Sequence, residues 1–266
     1  MPRAKRSFRL VVYAHQLDPH IFREILADKL HLNRADAMRL VAHTPGILPL
    51  SMSRRRAGKL GRLLASVGVH VGVWPEDQLP DLRDPCVVHK VACRSLGLET
   101  FGPRGEPLHW VPWAQLELIN IGEFPGGNKE LSLSGPTWMS ASVGTMRALV
   151  LGYRRSGLHV RKLIAQSQVE LWLVRGRPTQ LIRIPQDQVS YEYLQDRRQS
   201  SARANFRVLI EDLRQFAPHA TITPAARSFL HYERPGTHHF ASALHFQHDT
   251  EWQLLVRWRD RAESSE

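Results

Sequence analysis

At 266 residues, with 42% hydrophobic and 23% charged side chains, the chain holds enough apolar material for a buried core and is long for one compact domain. Two cysteines exclude a disulfide framework, the first forty residues lack the apolar run of a secretory signal, and the longest weakly polar stretch, Val143 to Tyr153, is half the ~20 residues of a membrane span, so a cytoplasmic location is expected. The net charge of +11 is uneven: residues 1–80 hold 13 Lys/Arg against 6 Asp/Glu, residues 81–266 hold 23 against 19, and a field of this sign attracts anionic partners without dictating a fold.

In chain order, Phe8 to Tyr13 is a short β-rich run. Leu17-Asp18-Pro19 then supplies a helix start, with Asp18 as N-cap, Pro19 at the first helical position, and Leu17 and Phe22 at the spacing of a hydrophobic staple. Ile21, Phe22, Ile25, Leu26 and Leu30 follow a 3.6-residue period and predict one buried face. Asn33 caps a second helix with a stripe of Ala37, Leu40 and Val41, ended by Pro45-Gly46. Ile47 to Leu50 suits a small strand or turn. Ser53 caps a third helix that should bury Ala57, Leu60, Leu64 and Val67 and stop at Gly68, and Val69, Val71 and Val73 alternate as a strand.

This order resembles the C-terminal domain of the bacterial ribosomal stalk protein over about 65 residues. The positions that carry the likeness are Asp36-Ala37, Leu40-Val41, Pro45, Ser53 to Gly68 and Val69 to Val73. It is also similar to the ClpS-type protease adaptors, whose P-x-x-F helix start matches Pro19 and Phe22. Both relatives bind other proteins without doing chemistry, so the resemblance implies an adaptor-like interaction module. Arg23 falls at a basic position of the stalk domain's partner-binding surface.

The third helix carries its own charge signal. Arg54, Arg55 and Arg56 occupy the first turn, where the helix macrodipole favours acids, and each cation costs a few tenths of a kcal/mol, on the order of 0.3. Arg55, Lys59 and Arg62 fall at i, i+4 and i+7, an exposed stripe opposite the leucines. Such a stripe is either a solvated face or a surface for an acidic protein or phosphate.

Pro75 to Pro85 is rich in proline and acids, as a linker is. From Cys86 the chain reads as strands. Val87, His89, Val91 and Cys93 alternate, Gly97 to Phe101 and Leu108 to Trp113 flank a turn at Pro103-Arg104-Gly105, and Leu116 to Ile121 follows. Gln168 to Val174 and Thr179 to Ile184 make another hairpin around Gly176. Between them, residues 124–157 form an insertion with a helical stretch around Ser142 to Leu151 as one reading. Phe206, Leu209, Ile210, Leu213 and Phe216 share one face of a helix over Ser201 to Phe216, and Pro224 to Tyr232 suits a short helix. Strands followed by one late helix are similar to a bacterial pleckstrin-homology-like (PH-like) domain. The expected architecture is therefore α+β: a β-α-α-β-α-β module over residues 1–76, a linker at 77–85, a mainly antiparallel domain with a late amphipathic helix over 86–259, and a frayed tail at 260–266.

Catalytic signatures are missing: no G-x-S-x-G, H-E-x-x-H, Walker or G-x-G-x-x-G element occurs. Cys86, His89 and Cys93, with His109, have zinc-like spacing, but alternation puts Cys86 on the other face and predicts buried thiols. His231, His238, His239, His245 and His248 lack a paired carboxylate pattern and read as surface or sheet-edge residues. The tryptophans at 110, 113, 172, 252 and 258 read as core or cross-strand pairs rather than base-stacking platforms. The expectation is an interaction protein without enzymatic activity, cofactor or metal, binding an acidic protein partner through Arg23, Arg54, Arg55, Arg56, Lys59 and Arg62. Nucleic-acid binding through phosphate contacts is the alternative.

Overall fold

A computed structural model describes residues 6–14, 17–125, 167–176, 179–231 and 237–263. The chain divides into two compact units, Met1–Asp81 together with Gln247–Glu266, and Leu82–Phe246. The sequence division of 86–259 as one domain is thereby corrected, because residues 247–259 pack with the first unit.

The first unit follows the order expected from its caps and stripes. Strand β1 (Phe8–Ala14) leads into α1 (Pro19–Leu30), α2 (Arg34–Val41), β2 (Gly46–Ile47), α3 (Arg54–Ser66) and β3 (His70–Pro75). Asp18 accepts from His20 N at 2.7 Å, Asn33 from Asp36 N at 2.8 Å and Ser53 from Arg56 N at 3.4 Å, so each helix start has its side-chain cap. The sheet runs β2-β1-β3, antiparallel throughout.

One sheet face, through Phe8, Leu10 and Val12, packs on the helices via Phe22, Leu26, Leu40, Leu60 and Leu64. Gly61 lets α3 approach closely: a Cβ there would stand 3.4 Å from Val73 and 3.5 Å from Leu10. Val67, expected in the buried stripe, is exposed because α3 has ended and Val67 serves as its C-cap. Gly68 takes the left-handed φ of +83° that the sequence predicts.

The second face, through Val11 and Tyr13, is covered by a helix that the sequence pattern does not predict, α6 (Ala243–Glu263), which follows α4 (Ala202–Phe216) and α5 (Pro224–His231) in chain order. Its Leu255 is fully buried against Val11 and Tyr13, and Trp252 Nε1 donates to Val12 O at 3.2 Å. Trp252 and Trp258 therefore stand on a helix rather than in alternating strands. Asp260 to Glu263, expected to fray, continue α6, where Arg259 pairs with Asp260 at 2.7 Å and with Glu263 at 3.6 Å.

The stretch read as a linker is partly built into the units. Asp77 pairs with Arg6 at 3.0 Å, Leu79 packs against the cluster of Val11, Tyr13 and Leu255, and Leu82 is buried.

The second unit contains a five-stranded sheet in the order β11-β8-β9-β10-β4 and a three-stranded sheet β5-β6-β7. The elements are β4 (Cys86–Val87), β5 (Lys90–Cys93), β6 (Gly97–Phe101), β7 (Pro107–Pro112), β8 (Leu116–Pro125), β9 (Ser167–Arg175), β10 (Gln180–Pro185), α4 (Ala202–Phe216), β11 (Thr221–Ile222) and α5 (Pro224–His231). The run from Cys86 to Cys93, expected to alternate as one strand, splits at Val88-His89. Cys86 and Val87 pair in parallel with β10, while Lys90 to Cys93 pair with β6 in the other sheet. The expected hairpins β6–β7 and β9–β10 are antiparallel as read. The sheets and α4 share a core through Leu98, Ile119, Leu171, Phe206, Leu209 and Leu213. These are the α+β class and the late helices predicted. The helical stretch around Ser142 to Leu151 lies outside the described residues.

Candidate functional site

On α3 the charge arrangement is segregated. Each described Lys or Arg between residues 6 and 39 reaches a carboxylate: Arg6 to Asp77, Arg9 to Glu76, Arg23 and Arg34 to Glu24, Lys29 to Asp28, and Arg39 to Asp36. Arg54, Arg55, Arg56, Lys59 and Arg62 are all exposed and reach none among the described residues. Arg54 leans over the Phe8 ring, 6.0 Å from its centroid. Arg55 to Arg62 spans seven residues, about 10 Å of helix. Arg23 sits on α1 with its charge already shared with Glu24 at 2.5 Å.

In the second unit a different site forms around Glu123, near the end of β8. Its backbone N–H donates to His238 O at 2.7 Å, and Phe240 N donates to Glu123 O at 2.8 Å, a parallel bridge that fixes residues 238–240 beside the strand. Next to it, Gly122 leaves room for the Phe246 ring, since a Cβ there would stand 2.7 Å from that ring. Phe246 also meets Trp172 at 4.4 Å and Phe240 at 4.8 Å between centroids. From the other side, Thr223 caps α5 by accepting from Ala226 N at 3.2 Å and ties it to β8 by donating to Asn120 Oδ1 at 2.6 Å. That connection positions Phe229, whose ring faces Arg203 at 4.7 Å, Arg207 at 5.2 Å and the edge of His238 at 5.6 Å.

The Glu123 side chain is buried and its two oxygens differ. Oε1 accepts from Ser167 Oγ at 2.8 Å. Oε2 has Arg203 Nη1 at 3.5 Å, His238 Nε2 at 3.7 Å and His239 Nδ1 at 3.9 Å, all beyond good hydrogen-bond distance. His238 is buried, its Nδ1 has no hydrogen-bond partner among the described residues, and burial, followed by neighbouring His239, pushes its pKa down. A neutral imidazole at neutral pH follows.

Among the described residues, Glu123, His238 and His239 are the ligand-type side chains that converge, with their ligand atoms within 4.8 Å of one another. The zinc-like spacing of Cys86, His89 and Cys93 does not close. Cys86 and Cys93 lie in different sheets, and His109 Nε2 is 3.0 Å from Gln180 Nε2. Burial, with Asp212 adding to it, pushes the Cys93 thiol up to about 12, the condition of an inert structural thiol. Trp113, stacked on Phe216 at 5.2 Å, and Trp172 are core residues, whereas Trp110 is 44% exposed. An open pocket of about 320 Å³ is lined by His89, Lys90, Ser190 and Glu192, with Lys90 and Glu192 paired to each other at 2.7 Å.

Comparison with protein-family models, with curated proteins and with solved structures found no match to this chain. The functional reading therefore stands on these two clusters. Helical spacing signals the first directly. The second joins a strand residue to two histidines more than a hundred positions later, and no local pattern in the sequence connects them.

Proposed function

We propose that this protein is a non-enzymatic interaction protein whose first unit docks on an acidic protein surface through Arg55, Lys59 and Arg62, with Arg54 and Arg56 extending the face. The observation that carries this reading is the segregation of charge: the cations of residues 6–39 are paired, while the five on α3 are exposed and reach no carboxylate among the described residues. Three of the five sit in a first turn where the macrodipole disfavours them, so helix stability does not account for their presence. Complementary carboxylates on a partner would supply the missing pairs and steer encounter. Arg23 contributes at the margin, because Glu24 already shares its charge.

The test is quantitative affinity capture from the native cell with wild type and with Arg55→Glu/Lys59→Glu/Arg62→Glu, followed by titration of the captured acidic partner. The triple variant is expected to lose that partner, and unchanged capture would sink the proposed face. Titration with RNA and duplex DNA decides the alternative partner class. Tight binding that weakens steeply with salt, with a slope set by the number of phosphates neutralised, would replace the protein partner by nucleic acid.

A further inference from the structure

We propose that Glu123, His238 and His239 form a binding site for one divalent transition-metal ion of the zinc class. This site belongs to the second unit and is independent of the α3 face. A glutamate oxygen and two imidazole nitrogens are a recognised donor set for zinc with an open fourth position, and imidazoles select against magnesium and calcium.

Three observations converge on it. The geometry is close to that of a bound state: donors around a tetrahedral zinc stand about 3.3–3.6 Å apart given metal–ligand lengths of ~2.0–2.2 Å. Here His238 Nε2 and His239 Nδ1 lie 3.7 and 3.9 Å from Glu123 Oε2, so binding needs a contraction of a few tenths of an ångström on those edges. The ligands are also under-bonded. His238 is 8% exposed, its Nε2 meets Glu123 only at 3.7 Å and its Nδ1 has no hydrogen-bond partner among the described residues, while Glu123 Oε2 has Arg203 only as a loose ion pair at 3.5 Å, and a buried polar group without a close partner is costly and calls for an ion or a water. Finally, part of the outer support is in place, because Ser167 Oγ holds the other carboxylate oxygen and the bridge between Glu123 and His239 fixes the backbone of both residues.

His239 is 52% exposed and gives an ion a route from solvent. Arg203 is the competitor. Its guanidinium stands 3.5 Å from Glu123 Oε2 and occupies the charge that the ion would take, but it is 42% exposed, so water can solvate it when an ion displaces it. The proposal thus requires the metal and Arg203 to exclude each other. A site in which Glu123 exists only to pair Arg203 has no such requirement.

The experiment is titration of the full chain, first stripped with chelator, with Zn²⁺, and in parallel with Co²⁺ monitored by visible absorption. One equivalent is expected to bind, with a cobalt band of tetrahedral intensity. His239→Ala and Glu123→Gln should each weaken it about tenfold or more, the size of effect seen even for outer-shell losses. Arg203→Gln should tighten it several-fold. The His239 variant changes an exposed side chain and decides the matter should the Glu123 variant fail to fold. Absence of a one-equivalent site in wild type overturns the proposal, as does binding that His239→Ala leaves unchanged, which would place the metal on other histidines. An Arg203→Gln variant that binds no tighter than wild type overturns the exclusion on which the site is built.

Discussion

Glu170 and Glu123 are both buried carboxylates on neighbouring strands, and in the β8–β9 register Glu170 faces Gly122 while Glu123 faces Val169. Their surroundings differ. Glu170 accepts from Arg183 through Nε at 2.8 Å and Nη2 at 2.6 Å, from Trp172 Nε1 at 2.7 Å and from Gln168 Nε2 at 2.9 Å. Among the described residues Glu123 accepts one side-chain hydrogen bond, from Ser167, and its second oxygen faces three bases at loose ion-pair distances of 3.5, 3.7 and 3.9 Å. A saturated carboxylate is architecture, since its charge is compensated on every side. An undersaturated one keeps free coordination capacity and is available for exchange. The α3 cations stand in the same relation to the paired arginines of residues 6–39.

The contrast can be broken experimentally. The largest effect is expected for Glu170→Ala, which strands the Arg183 guanidinium and the Trp172 indole N–H. Urea denaturation should show a loss of about 3–5 kcal/mol, and a loss below about 1 kcal/mol would deny Glu170 its architectural role.

Glu76 extends the saturated class to the first unit. It accepts from Ser51 and Ser7 at 2.7 and 2.6 Å and pairs with Arg9, and the Ser51 bond foremost holds its pKa down at about 2, against an ordinary value of 4.5. A depressed folded-state pKa contributes stability that is complete above 4.5 and is lost as pH falls toward 2. Glu76→Gln should therefore flatten the acid limb of the stability–pH curve in that window and cost about 1 kcal/mol at neutral pH. An acid limb identical to wild type would remove Glu76 from the saturated class.

Glu123→Gln, measured without metal, should change stability by less than about 1 kcal/mol, because the amide keeps the Ser167 contact and the partly exposed Arg203 returns to water. A loss as large as that of Glu170→Ala would erase the distinction between the two glutamates. The smallest effect carries the opposite sign. Arg55→Glu puts an acid into the first turn of α3 and should raise the thermal midpoint slightly, by a free energy of about 0.3–1 kcal/mol, while weakening partner capture. A drop in stability would mean that Arg55 serves the fold.

Legibility in the sequence follows the same division between near and far. The three N-caps, the stripe of Ala57, Leu60 and Leu64 and the Gly68 stop lie within contiguous turns, so periodicity and cap chemistry sufficed to place α1 to α3 and the α3 cations. The stripe of α1 ends at Leu30, as its periodicity predicts, but no glycine marks the stop: His31 takes the left-handed φ of 56°, with Leu32 N returning to Ala27 O at 3.0 Å. Helix α6 escaped. Its buried positions include Gln247, Thr250 and Arg257 beside Phe246, Leu254 and Leu255, so the apolar stripe is diluted below the level a hydrophobic pattern can report. The Glu123 cluster depends on a backbone bridge to residues 238–240, and a pairing of that sequence separation leaves no local trace.

The placement of residues 247–263 in the first unit has a consequence in time. Its sheet is synthesised well before its cover: Val11 and Tyr13 wait for Leu255 and Trp252, and the Trp252–Val12 hydrogen bond spans 240 residues. At elongation rates of ~5–20 residues per second that interval is on the order of 10–50 s. For this period the nascent chain carries Val11 and Tyr13 without Leu255 and Trp252, and the first unit is completed only after residues 82–246 of the second have been made.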